Sequence, residues 1–131
     1  MKNFVPLSAR VLISQIFLAS GWGKIMDPSG TQHYMAAHGM PLTALFLVGA
    51  IVLELGGGLS VLLGYKARWG AVALIVFLIP TTLIFHTAFA ERLQQIMFMK
   101  NSAILGGLLM VACFGSGPLS LDARTRSAGN Q

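Results

Sequence analysis

Glu54 is the only charge in the apolar stretch 42–63, LTALFLVGAIVLELGGGLSVLL. A helix of that length crosses the ~30 Å hydrocarbon core of a bilayer at about 1.5 Å per residue, which puts Glu54 near mid-membrane. An ionised carboxylate there costs on the order of 3 kcal/mol unless protonated or paired, so Glu54 must turn towards a partner or a polar cavity, and it is a candidate proton site. His86, the one histidine inside an expected span, is a second candidate proton site, with Thr82 one turn before it on the same face. Arg10, Lys24, Thr82, Lys100 and Asn101 are the candidate ligand contacts. Two readings stand open for Lys24, beside Trp22: snorkelling to the membrane surface, or a functional contact. For His86 the structural alternative is a bond to Thr82 or to a backbone carbonyl. Arg10 lies a turn inside its run, where snorkelling accounts for it less completely.

Such side chains need a scaffold, and composition says of what kind. The 131 residues are 55% hydrophobic and 10% charged, with a mean hydropathy of +0.73. That is too apolar for a soluble domain and suits one compact all-α polytopic membrane domain over 1–131. In a soluble protein the net charge of +5 would suggest nucleic acid. Here the basic residues lie at the ends of apolar runs, the pattern of positive-inside anchoring, so no nucleic-acid partner is expected. Cys113 is the single cysteine, which excludes an internal disulfide, a CxxC redox pair and a thiolate metal cage. It reads as a small residue packed in an apolar helix.

Four apolar runs, 7–25, 42–63, 69–90 and 97–114, predict a four-transmembrane-helix bundle. In the first, Arg10, Ser14, Phe17, Gly21 and Lys24 recur at helical spacing and form its most polar face. The basic start could open a signal peptide, but SGWGK is a poor cleavage site and a retained helix is expected. Asp27, Pro28 and Gly30 end this helix. The segment 26–40, with His33, Tyr34 and His38, reads as a short amphipathic piece at the interface, Tyr34 and Met35 towards lipid or protein. Histidines five residues apart do not share a helical face, and no metal site is expected. Pro41 fits the first position of the second helix.

Behind Glu54, small residues at Gly56, Ser60 and Gly64 recur every four positions, a face that lets another helix come close. The basic turn 65–68 opens the third run, which Pro80 should kink, freeing a carbonyl near Thr81 and Thr82. LGGLL around Gly106 and Gly107 echoes the LGGGL of the second run. Gly115, Gly117 and Pro118 stop the fourth helix, and 123–131 is expected to be a mobile tail.

Charge counting orients the bundle. Lys2, Arg10, Lys66, Arg68, Arg124 and Arg126 fall on one side, and Lys24, Arg92 and Lys100, offset by Asp27 and Glu91, on the other, so both termini should be cytoplasmic. Glu54 is then about nine residues, ~14 Å, from the inner end of its helix, and Arg10 is its expected partner. Lys24, His86, Lys100 and Asn101 should gather separately at the outer ends. Because Gln keeps a neutral hydrogen-bonding group while losing Arg10 would strand a carboxylate, Glu54→Gln should perturb folding less than Arg10→Ala.

The strings Arg10 with IFLASGWGK, DPSGTQHYM with GMP, LELGGG with LLG, the basic turn with Arg68, Phe85 with His86, FMKN at 98–101, GG, and GPLSLD resemble the DoxX family of small four-helix bacterial membrane proteins, in particular its enterobacterial inner-membrane members. The resemblance runs from Arg10 to Asp122. It implies a multi-pass protein of the bacterial inner (plasma) membrane. Members of the family are associated with a thiosulfate:quinone oxidoreductase, with resistance to quinones and catechols, and with membrane complexes handling oxidative stress. For this chain the resemblance implies quinone-linked redox work, with a quinone as ligand and a soluble or membrane redox partner.

The residues bound that implication. With no thiol pair, nucleotide fingerprint or second intramembrane histidine, no intrinsic redox cofactor is expected, and electrons would pass through a bound quinone, a flavin or a partner subunit. In the quinone reading His86 and Lys100 bond a quinone oxygen or relay its proton, while Glu54 with Arg10 forms a deeper site. The alternative is a non-catalytic membrane anchor or scaffold for a partner enzyme, its buried charges fixing helix register. A small proton-linked transporter built on Glu54 is a third class, and would require a homo-oligomer, which the glycine faces also make plausible.

Overall fold

The structure is a computed structural model, and it describes residues 4–85 and 90–124. It is helical throughout, and among the described residues no strand is formed. Four helices are long and apolar enough to cross a membrane: α1 (Phe4–Met26), α3 (Thr43–Leu63), α4 (Ala67–Phe85) and α5 (Arg92–Phe114). The short α2 (Pro28–Ala37) lies between the first two. Each long helix packs against the next in the chain, α5 also touches α1, and consecutive neighbours run antiparallel because the connections are short. One end of the bundle holds the start of α1, the α3–α4 turn and the segment 115–124; the other holds α2.

Packing is by small residues and a thin core. Phe17, Val61, Ala67, Ala71, Leu74, Leu78, Leu108 and Val111 make the buried apolar cluster. Many larger apolar side chains, Val52, Trp69, Val76 and Met110 among them, face outwards, as expected of helices whose flanks meet hydrocarbon. Cys113 is also exposed, so it faces outwards and is not packed as expected. A side chain on Gly57 would stand 2.8 Å from Leu74 Cγ and 3.2 Å from the Gly70 carbonyl, whereas one on Gly56 would meet nothing within 4 Å. The close approach of α3 to α4 therefore runs through Gly57 and Gly70. The expected Gly56 face is open, while Ser60 turns its hydroxyl to the Tyr65 and Lys66 carbonyls at 2.6 and 3.1 Å.

Helix ends follow local chemistry. Pro28 opens α2, and the Asp27 carboxylate accepts from Gly30 N at 3.1 Å, an N-cap that turns the chain directly out of α1. Pro41 does not open α3. The helix begins at Thr43 after Leu42, whose φ is 51°. Gly64 ends α3 at φ 69°, a left-handed conformation glycine adopts freely. α4 starts at Ala67, two residues ahead of expectation, because Asp122 accepts from Lys66 N at 2.7 Å and Ala67 N at 3.0 Å. α5 starts at Arg92, ahead of the expected 97, so 92–96 joins the helix. Residues 123 and 124 continue the return of the chain over the α3–α4 turn, with Ala123 N donating to Ser120 Oγ at 3.1 Å. The rest of the expected tail, 125–131, lies outside the described residues.

Candidate functional site

The polar face of α1 is buried as its spacing predicts: Arg10, Ser14, Phe17 and Gly21 all lie against the bundle. Gly21 is level with Glu54, since a β-carbon on it would stand 3.4 Å from that of Glu54 and 2.8 Å from Leu55. Its lack of a side chain brings α1 and α3 together at this depth and leaves room for a cation from one turn further on. Lys24 supplies it. Its Nζ donates to Glu54 Oε1 at 2.9 Å and Oε2 at 3.2 Å, and to Ser20 Oγ at 2.7 Å. The Lys24 side chain retains 18% exposure and that of Glu54 only 2%, so the carboxylate is the sequestered member of the pair.

This corrects the expected partnership of Glu54 with Arg10. Helix side chains lean towards the N-terminus of their helix. On α1 that lean carries Lys24 inwards, towards mid-bundle, and Arg10 outwards, away from Glu54. The Arg10 guanidinium, 1% exposed, reaches the last carbonyls of α3 instead, donating to Val61 at 3.3 Å and Leu62 at 3.0 Å, and also to the Leu119 carbonyl. The Val61 and Leu62 carbonyls lie in the last turn of α3, where only Val61 also accepts from Gly64 N, at 3.3 Å, and they carry the negative end of the helix dipole, which favours a cation. Arg10 ties α1, α3 and the 115–124 segment together, at the end of the bundle opposite α2.

Between the ends of the long helices on the α2 side lies a cavity of about 940 Å³, which Arg10 does not line. Lys24, Glu54, Lys100 and Asn101 all line it, with Ser20 and Thr81, so Glu54, expected in a separate deeper site, shares one chamber with Lys24, Lys100 and Asn101. Its remaining wall is apolar, including Ile16, Phe17, Ala50, Leu53, Phe77, Met97 and Ile104. Lys100 Nζ touches only Met97 Sδ, at 3.6 Å, among the described residues. Asn101 is committed to structure: its Nδ2 donates to Thr82 Oγ1 at 3.0 Å, and Thr82 in turn donates to the Leu78 carbonyl at 2.7 Å, one turn back beside Pro80. Thr82 itself is not among the residues lining the chamber. α2 roofs it, with Met35 buried beneath and the Tyr34 ring stacked on Phe85 of α4 at 5.1 Å between centroids. His38 packs on both rings, while its Nδ1 lies 2.9 Å from the Tyr34 carbonyl. His86 lies outside the described residues.

Ser20 and Asp122 hold roles that residue type and spacing do not single out at first sight. Ser20 stands four residues before Lys24, the spacing that lets its hydroxyl meet a side chain leaning back along the helix, so a signal was present. Asp122, distant in sequence from the helix it caps, carried none.

The arrangement defines a class: a four-helix membrane bundle holding a sequestered ion pair at the floor of an amphipathic chamber. The chain belongs to the DoxX family, whose family model matches residues 5–87. It is 46% identical to inner membrane protein YqjF of Escherichia coli strain K12, over 93% of this chain and 92% of that one. To inner membrane protein YphA of the same organism it is 36% identical, over 90% of this chain and 88% of that one. A Surfeit locus protein 4 homolog of Drosophila melanogaster is 27% identical over 92% of this chain, which spans 41% of that protein. No solved structure matches. With four membrane-crossing helices and these relatives, the chain is an integral, multi-pass inner-membrane protein.

Proposed function

We propose that this chain is a quinone-linked membrane subunit of an oxidoreductase, binding the quinone head in the chamber between its helices. The observation that carries the reading is the pairing of about 940 Å³ of largely apolar space with Lys100, a cation that meets no carboxylate among the described residues. Ligand chambers of ~300–1,000 Å³ with a few placed polar groups suit molecules of this size. A quinone ring offers two carbonyl acceptors, and the ammonium of Lys100 has donors to give. When bound, the quinone would supply the two-electron chemistry that the chain's own side chains do not. Lys100 would hold the head, and the Lys24–Glu54 pair beneath would fix the floor and keep a proton-exchanging carboxylate within the chamber. In this reading the end bearing Arg10, Lys66, Arg68 and Arg124 faces the cytoplasm, by the excess of basic residues there. The redox partner would then supply or remove electrons across a shared surface.

Binding of a benzoquinone to the purified protein, followed by tryptophan fluorescence and by thermal shift, tests the proposal. Saturable binding weakened about tenfold or more in Lys100→Gln supports it. No binding, or binding indifferent to that substitution, overturns it. One observation favours the anchor reading: Lys24 and Glu54 satisfy each other without any ligand, and so hold α1 and α3 in register. If a redox enzyme co-purifies with the chain and keeps its activity when Lys100 is replaced by alanine, the anchor is the better account.

A further inference from the structure

The chamber is walled unevenly. On the α1 and α5 side its lining is mostly buried or half-buried, while on the α3 and α4 side it includes residues that are also exposed on the flank: Leu45 at 65%, Val76 at 60% and Ile84 at 40%. Gly57 and Gly70 set the register of these antiparallel helices where their backbones touch. Outwards from that contact, Leu53, Gly49 and Leu45 follow at four-residue steps on α3, and Val76, Pro80 and Ile84 at four-residue steps on α4. All six line the chamber, three from each helix, along the α3–α4 seam. A side chain on Gly49 would meet nothing within 4 Å, so the seam is not filled about 12 Å from the Gly57 contact, at eight residues of ~1.5 Å each. Pro80, on the α4 wall of the chamber, withholds a backbone N–H from the helix ladder, so α4 is free to bend there.

We propose that the α3–α4 seam is a lateral portal, through which an aliphatic-tailed quinone enters from the bilayer and in which its tail remains while the head sits at Lys100. The inference rests on quinone binding in the chamber, and it assigns what that function leaves open: the substrate is an amphiphile drawn from the hydrocarbon, and Gly49 with Pro80 sets the passage. Charge and polarity are matched along the path. The seam is apolar and opens where lipid tails lie, and the chamber's polar groups, Lys100 and the Lys24–Glu54 pair, stand at its far side. On the α2 side the chamber is roofed by Tyr34, whose ring stacks on Phe85.

The test compares two probes, a tailless dimethoxy-methyl-benzoquinone and the same ring with a decyl tail, on full-length protein in nanodiscs. Gly49→Trp should weaken the decyl compound about tenfold or more and the tailless ring less than about twofold. Val48→Trp places the same side chain at a neighbouring position that is 59% exposed and outside the chamber lining, and should change neither. Should Gly49→Trp fail to fold, as judged by melting temperature, Val76→Trp on the opposite wall repeats the comparison. Wild-type protein that binds both compounds, with the seam variants weakening both alike or neither, overturns the portal and leaves quinone binding in the chamber standing. Wild-type protein that binds neither overturns both.

Discussion

Lys24 pairs with Glu54 from one helical turn beyond the level at which Glu54 sits, its ammonium leaning back along α1 to 2.9 Å from the carboxylate. The contact links the first two spanning helices at a depth where neither charge would be stable alone. Removing one member of a buried pair typically costs about 3–5 kcal/mol, whereas replacing both by neutral groups of similar shape is far milder. Glu54 is the more deeply buried, and Lys24 keeps Ser20 as a second partner. Lys24→Met should therefore destabilise more than Glu54→Gln, and the double variant should be more stable than the sum predicts, with a coupling of about 1 kcal/mol or more. Thermal unfolding of the four proteins in one detergent measures this. Strict additivity would mean that the two side chains do not meet.

Arg10 is the structural cation of the bundle, bound to the α3 carbonyls of Val61 and Leu62 and to that of Leu119. Lysine has no fork with which to reach three carbonyls, so Arg10→Lys should still cost about 2 kcal/mol. The loss should appear as faster hydrogen exchange in 115–124 while the Lys24–Glu54 end stays protected. Uniform loosening at both ends would contradict this division of labour.

The Arg10 and Lys24 outcomes show what sequence could and could not tell. The polar face of α1 was legible from spacing alone, because burial follows helical period. Backbone depth alone points Glu54 to Arg10, but side chains lean along the helix. That lean displaces Lys24 inwards and Arg10 outwards. Four spans were legible from apolar length. The start of α4 was not, because its cap comes from Asp122, and no local pattern links residues so far apart. The chamber is only half legible: Lys24, Lys100 and Asn101 share an end of the bundle by topology, but the lean that brings Lys24 down to Glu54, and the folding of α2 over the top, depend on tertiary contacts.

Asp122 offers the next test. It accepts from the Lys66 and Ala67 amides, and Ser116 Oγ lies 3.3 Å from it, so a single carboxylate holds the returning segment to the α4 N-terminus. Losing an N-cap costs about 0.5–2 kcal/mol. Asp122→Ala should fall at the upper end because the helix dipole also favours the charge, and Asp122→Asn should recover part of it. Melting temperatures in the order wild type, Asn, Ala are expected. An alanine variant as stable as the wild type would show that water satisfies those amides equally well.

Adjacent glycines of α3 make the sharpest contrast. Gly57 faces α4 with no room for a methyl group, since one would stand 2.8 Å from Leu74 and 3.2 Å from the Gly70 carbonyl, and backbone cannot yield as a flexible side chain does. Gly57→Ala should cost about 1–3 kcal/mol, the usual range for overpacking. Gly56 faces open space, so Gly56→Ala should gain roughly 0.5–1 kcal/mol from helix propensity alone. Unfolding of the two variants in the same detergent therefore moves in opposite directions. If both substitutions destabilise, Gly56 is covered by a second copy or a partner in the membrane. The number of chains in the detergent particle, measured for wild type and Gly56→Ala, then separates a second copy from a different partner.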